Sequence, residues 1–165
     1  MNNISAVNRD SALRDGAMVA LLTGTACLIP ALSHLIALPL SALNPMLLLL
    51  VTGVALIRDR RFGYALAIAM PLLACLITGM PTPLKAVCMV AEFSTVVLLL
   101  TLLGSRWSAA PTAVVSIIGG KVVYYAIKAA ILSPAVLVGT PWGWQAISIF
   151  LSCAVFCILS NKMKK

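Results

Sequence analysis

Six apolar runs order this chain, at residues 17–36, 45–57, 62–77, 84–103, 109–132 and 142–159. A helix rises about 1.5 Å per residue, so runs of about 20 apolar residues match the hydrocarbon core of a bilayer. The run at 45–57 is short, and becomes a span only if tilted or lengthened by part of 35–44. Proline and glycine mark the breaks: Pro39 and Pro45, then Gly79, Pro81 and Pro83, then Pro134, Gly139 and Pro141. Polar positions within the runs are few and unevenly spread. On the fourth run Lys85 and Glu92 are seven apart, which puts them on one helix face with Met89 between them. On the fifth, Lys121, Tyr124, Tyr125 and Lys128 fall at i, i+3, i+4 and i+7, again one face. Gln145, Ser148 and Ser152 form a third polar stripe on the sixth. The first three runs offer almost none. The pattern predicts an all-α integral membrane protein, a single domain over 1–165 with six transmembrane helices.

Composition agrees with that pattern. Of 165 residues, 62% are hydrophobic and 10% charged, with a mean hydropathy of +1.08. A soluble domain would expose apolar patches large enough to drive association. The net charge of +8 raises nucleic acid as a partner, but the basic residues are scattered between apolar runs. They read better as topology. Arg9 and Arg14 precede the first run, Arg58, Arg60 and Arg61 follow the second, Arg106 follows the fourth, and Lys162, Lys164 and Lys165 end the chain. The alternate loops carry only Lys85. By the positive-inside rule, both termini are expected in the cytoplasm: an N-terminal segment at 1–15 and a basic tail at 161–165 of a protein of the cytoplasmic (inner) membrane. The first run is too long for the apolar region of a usual signal peptide, although Ala31-Leu32-Ser33 loosely resembles a cleavage site. Cys27, Cys75, Cys88, Cys153 and Cys157 all lie within apolar runs without a CxxC pair, and read as small buried hydrophobes.

The candidate chemistry begins with Glu92. A carboxylate at the centre of a spanning helix costs about 2.5–3.5 kcal/mol on insertion scales, so it faces a partner or a cavity. Counted at about 1.5 Å per residue from Pro83, Glu92 lies roughly 13 Å deep. Counted back from Ser133, Lys128 lies roughly 7 Å and Lys121 roughly 18 Å deep. Either lysine can reach Glu92 if the fourth and fifth helices are neighbours. One reading is a self-neutralising ion pair that fixes helix packing. The other is a pocket, because a second lysine on the face and Lys85 at its mouth exceed what one carboxylate needs. Lys121, Tyr125, Lys128 and Glu92 are expected to line it, with Lys85 and Trp142 near the mouth. The surplus of cations favours an anionic solute, whereas Trp142 and Trp144 also suit interfacial anchoring. The sole histidine, His34, has no companion for a metal site. Asp10, Asp15 and Asp59 form no nucleophile triad, and no phosphate-cradling glycine loop is present. No enzyme, metal or cofactor is expected. On the first run Gly16, Ala20 and Gly24 recur every four residues, a small-residue face for another helix of the bundle or of a partner.

Several short motifs add a family resemblance. Asn44-Pro45-Met46 opens the second run and Phe62-Gly63-Tyr64 the third. Pro71-Leu72-Leu73 leads to Thr78-Gly79-Met80-Pro81 and then to Ala91-Glu92-Phe93. In these the chain resembles the substrate-binding S components of energy-coupling factor (ECF) transporters, prokaryotic vitamin importers, and especially their pantothenate and cobalamin branch. The resemblance implies a subunit that binds a vitamin or vitamin precursor at its outer face and releases it inward. It implies a transmembrane coupling subunit and two ATPase subunits as partners, Asn44 in the pocket's first outer loop, and Gly16, Ala20 and Gly24 against the coupling subunit. The residues leave two other classes open. One is a structural membrane protein of the rod-shape-determinant (MreD) type, the other a stand-alone carrier.

Overall fold

The computed structural model describes residues 2–36, 44–131 and 142–163, and the side chains of 10–30, 44–131 and 142–162. Pro39, Pro134, Gly139 and Pro141, the side chain of His34, and Lys164 and Lys165 of the basic tail lie outside these. The described residues form six α-helices: α1 (Asn2–Ile36), α2 (Pro45–Leu56), α3 (Arg60–Thr78), α4 (Pro83–Leu103), α5 (Ala109–Ile131) and α6 (Trp142–Met163). Five carry stretches long and apolar enough to cross a membrane: Asp10–Pro30, Arg60–Thr78, Pro83–Leu103, Ala109–Ile131 and Trp142–Lys162. The protein is an all-α, multi-pass membrane bundle. α2, with 12 residues, measures about 18 Å at 1.5 Å per residue and is the short element. α1 begins earlier than the apolar run, because no glycine or proline interrupts 2–15 and the helix continues straight into the span.

Neighbouring helices form a ring, α1–α3–α4–α5–α6–α2, and α2 also packs against α3 and α4. That interior place explains how so short a helix is held. Leu47, Leu50 and Val51 of α2 are wholly buried with Leu66, Ala67 and Met70 of α3, Phe93, Val96 and Val97 of α4, and Ile117 of α5. Gly53 suits the seat, since a methyl group there would press on the side-chain tips of Leu66 and of Leu22 of α1. Outward positions such as Leu21, Leu76, Val122 and Phe150 leave large apolar side chains exposed, as a lipid-facing surface requires.

The breaks follow local chemistry. Asp59 caps α3 by accepting from the Arg61 amide at 2.9 Å. Gly79 ends α3 with a φ of 69°, the left-handed conformation that glycine adopts without penalty. Pro83 opens α4 at its first turn, where its missing N–H costs nothing.

One carboxylate ties the opposite end of the bundle. Asp15 is 2% exposed, and its Oδ2 accepts from the backbone amides of Arg58 and Asp59, both at 3.0 Å. It thereby joins α1 to the turn between α2 and α3. The same end receives the end of α4, because a side chain at Gly63 would meet Val97 and Val54. α6 runs antiparallel to α5, with the Tyr125 and Trp142 rings 5.3 Å apart. Arg14, Arg58, Arg60, Arg61, Arg106 and Lys162 therefore share one end. Lys85 and Lys128 share the other.

Replacing Asp15 should loosen this joint. The net contribution of a hydrogen bond to a charged group is about 1.5–3 kcal/mol, so Asp15→Ala, which removes two such bonds, is expected to lower the thermal unfolding temperature of the detergent-solubilised protein. Asp15→Asn retains one acceptor oxygen and should lose less. Equal unfolding temperatures for both variants and the parent would refute the role.

Candidate functional site

The site grows from the packing of α4 on α5, the most extensive helix pair of the bundle. Thr112, Ser116 and Gly120 recur every four residues on α5 and are all buried. A side chain at Gly120 would stand 2.5 Å from Val96, 3.0 Å from the Glu92 carbonyl oxygen and 3.5 Å from its Cγ. Thr112 lies beside Gly104, at the far end of α4. This is a small-residue stripe that lets two backbones approach closely. The stripe of small residues was not among those singled out in the sequence, because Ser and Thr at 112 and 116 hide it behind polarity.

Close approach at Gly120 brings the next residue, Lys121, to Glu92. Its Nζ lies 2.8 Å from Glu92 Oε1. Glu92 is 1% and Lys121 8% exposed, so both charges are inside the bundle. Oε1 nonetheless lacks a hydrogen bond of good direction, and the contact is held by charge rather than by alignment. Of the two lysines within reach of Glu92 by depth, it is the deeper one that pairs.

Above the pair, towards the start of α4, lies a cavity of about 210 Å³ lined by Thr82, Leu84, Lys85, Cys88, Tyr124 and Lys128. Tyr124 connects cavity and pair: Lys121 Nζ and Lys128 Nζ each lie 5.7 Å from its ring centroid, within cation–π range. Tyr125, the next residue, turns instead to Trp142, and packs edge-on to Tyr124 with centroids 5.1 Å apart.

Lys85 and Lys128 thus line the cavity, while Glu92 and Lys121 lie beneath it as a pair. Tyr125 and Trp142 are not among the described lining residues: Tyr125 packs on Tyr124, and Trp142 on Tyr125. Asn44, in the left-handed conformation with φ 44° and ψ 60°, caps α2 without a side-chain hydrogen bond and is not among the lining residues. Thr82, Leu84, Cys88 and Tyr124 join the lining without having been singled out for it. For Thr82 and Leu84 the available signal was their place on the first turn of α4. Gly16, Ala20 and Gly24 lie well apart on α1. Ala20 and Gly24 are exposed, and Gly16 is half-buried near Phe62.

A second polar feature belongs to the same half. Thr25, Thr52, Thr78 and Thr95 each donate to the carbonyl four residues earlier on their own helix. The buried hydroxyls of Thr112, Ser116, Ser148 and Ser152 do not, and like that of Thr23 on α1 have no hydrogen-bond partner among the described residues. Gln145 Oε1 shares that state. Such groups cost about 1–3 kcal/mol each when left dry, which suits water in the interior of α4–α6.

No protein-family model, curated protein or solved structure matches this chain. The residues alone carry the functional argument.

The pair predicts its own signature. Glu92→Gln leaves Lys121 buried without a counter-charge, and should destabilise by about 3–5 kcal/mol. Glu92→Gln combined with Lys121→Met removes both charges and should regain most of that loss in a denaturant titration. Additive losses would mean that the two side chains do not interact. By the same geometry Gly120→Ala should cost more than Gly119→Ala, whose added methyl would meet only the flexible tip of Leu99.

Proposed function

We propose that this chain is the solute-binding subunit of an energy-coupled importer, an S component of the ECF type. It takes a small anionic vitamin or vitamin precursor from the outer face of a prokaryotic cytoplasmic membrane. The observation that carries this reading is the cavity at the start of α4, which has two lysines and no carboxylate among its described lining residues.

Orientation follows from charge. Six described basic side chains gather at the end opposite the cavity, and the positive-inside rule puts that end in the cytoplasm. Both termini then face inward and the cavity faces out. A carboxylate or similar anion entering it meets Lys85 and Lys128 at once, with Tyr124 as an apolar and polarisable wall. Lys121 is held by Glu92 and acts beneath the cavity, stabilising its floor.

The chain has no phosphate-cradling loop of its own. Energy for release is therefore assigned to partners, a transmembrane coupling subunit and two ATPase subunits. The exposed Ala20 and Gly24 on α1 offer a face onto which a helix of the coupling subunit can pack closely.

Two measurements test the reading. Thermal unfolding across a panel of vitamins and precursors should single out an anionic member that stabilises the purified protein. Stabilisation by none returns the chain to a structural membrane role. Ala20→Trp should then abolish uptake in cells with the coupling partners while leaving solute affinity within twofold. Uptake at the parent rate would remove α1 as the coupling face.

A further inference from the structure

We propose that the cavity seats a doubly charged oxyanion, the terminal group of a phosphomonoester, in preference to a singly charged carboxylate. The inference rests on the solute-binding reading above and specifies the charge of what binds.

Charge balance is the first argument. The chain has four acidic residues, Asp10, Asp15, Asp59 and Glu92. The three aspartates belong to α1's first half and to the α2–α3 turn, at the other end of the bundle. Glu92 is occupied by Lys121 at 2.8 Å. Lys85 and Lys128 consequently face one cavity of about 210 Å³ with no carboxylate among its described lining residues. Lys85 is exposed and Lys128 half-buried, so two ammonium groups stand at one opening and attract two negative charges more strongly than one. A dianion answers both.

The second argument is the backbone. Thr82, the N-cap of α4, makes no side-chain cap hydrogen bond and Pro83 has no N–H, so the amides of Leu84 and Lys85 are the first-turn donors left without a side-chain acceptor. Thr82, Leu84 and Lys85 of that turn all line the cavity. α4 has 21 residues, and its N-terminus carries roughly half a positive charge. Amides there bind phosphate readily, as helix N-termini do. Three terminal phosphate oxygens can be shared among two ammonium groups and these amides, whereas a carboxylate has only two.

The third argument is preorganisation. Lys128 is steadied 5.7 Å from the Tyr124 ring, so it is already at the cavity when the anion arrives. Leu84 and Cys88 supply an apolar flank for the ester substituent.

A matched pair of probes reads the charge directly. Phenyl phosphate is a dianion at pH 8, since the second ionisation of a phosphomonoester lies near 6. Methyl phenyl phosphate has nearly the same shape with one charge. In phosphatidylcholine nanodiscs, titration calorimetry should find phenyl phosphate bound at least tenfold more tightly. Lys85→Ala and Lys128→Ala should each abolish that preference, and Lys128→Arg should keep it. Unliganded thermal unfolding shows whether each variant is folded.

The monoester can also be a lipid headgroup. Stabilisation by phosphatidic acid in the discs, without a response to phenyl phosphate, identifies that source and supports the same dianion seat. Equal affinity for the two probes overturns the proposal, yet leaves solute binding standing. Silence from both probes and from phosphatidic acid, with a vitamin carboxylate still bound, overturns it likewise. Silence from every solute would overturn the proposed function as well.

Discussion

A carboxylate and an ammonium sit 2.8 Å apart inside a membrane bundle, and the arrangement of α4 and α5 depends on keeping them together. Either charge alone would be expensive there, while together they are tolerable. The condition is geometric. Lys121 meets Glu92 because Gly120 lets α5 come so close that a methyl group would strike Val96 and the backbone of α4. Ser116 and Thr112 continue the close approach down the helix. Packing thus permits the ion pair, and the ion pair penalises any separation of the two helices.

The two halves of the bundle solve the membrane's demands differently. α1, α2 and α3 interlock through apolar side chains and one glycine, and their hydroxyls at Thr25, Thr52 and Thr78 bond back to their own helices. Their one buried charge, Asp15, sits at an end and is satisfied by two amides. Thr23 of α1 also keeps a buried hydroxyl without a partner among the described residues, but α5 and α6 retain four such hydroxyls, and the ion pair and the cavity lie in the same half. A helix that satisfies its polar groups internally needs no water. One that leaves them open implies water or ligand nearby. The buried polarity is concentrated in the carboxyl-terminal half.

Much of this was legible in the residues, though unevenly. Six apolar runs and the scattered arginines carried the helices and their alternation, because hydropathy over twenty residues is a strong physical signal. Glu92 stood out for the same reason. Its partner did not, since depth alone put both Lys121 and Lys128 within reach, and the choice was made by Gly120 on the facing helix. Tyr124 and Tyr125 belong to one broad helical face, and only the angle between α5 and its two neighbours separates them. Tyr124 went to the cavity and Tyr125 to Trp142. The Asp15 joint links residues 43 and 44 positions apart, and no local pattern announces such a contact. The continuous helix from Asn2 was readable in the absence of breakers, although the segment at 1–15 has no apolar run to announce it.

Tyr124 is the point at which the buried pair and the open cavity meet. Its ring lies equally far from Lys121 below and Lys128 above. The two lysines have different electrostatic circumstances despite that shared neighbour. Lys121 is neutralised by Glu92 and serves the bundle. Lys128 has no carboxylate at the cavity and remains available, as does Lys85. Had Glu92 paired with Lys128, the uncompensated charge would have been Lys121, deep in the bundle and away from the opening. The glycine at 120 therefore decides more than the spacing of two helices. By assigning Glu92 to the deeper lysine, it leaves Lys85 and Lys128 at the cavity with no carboxylate among its described lining residues.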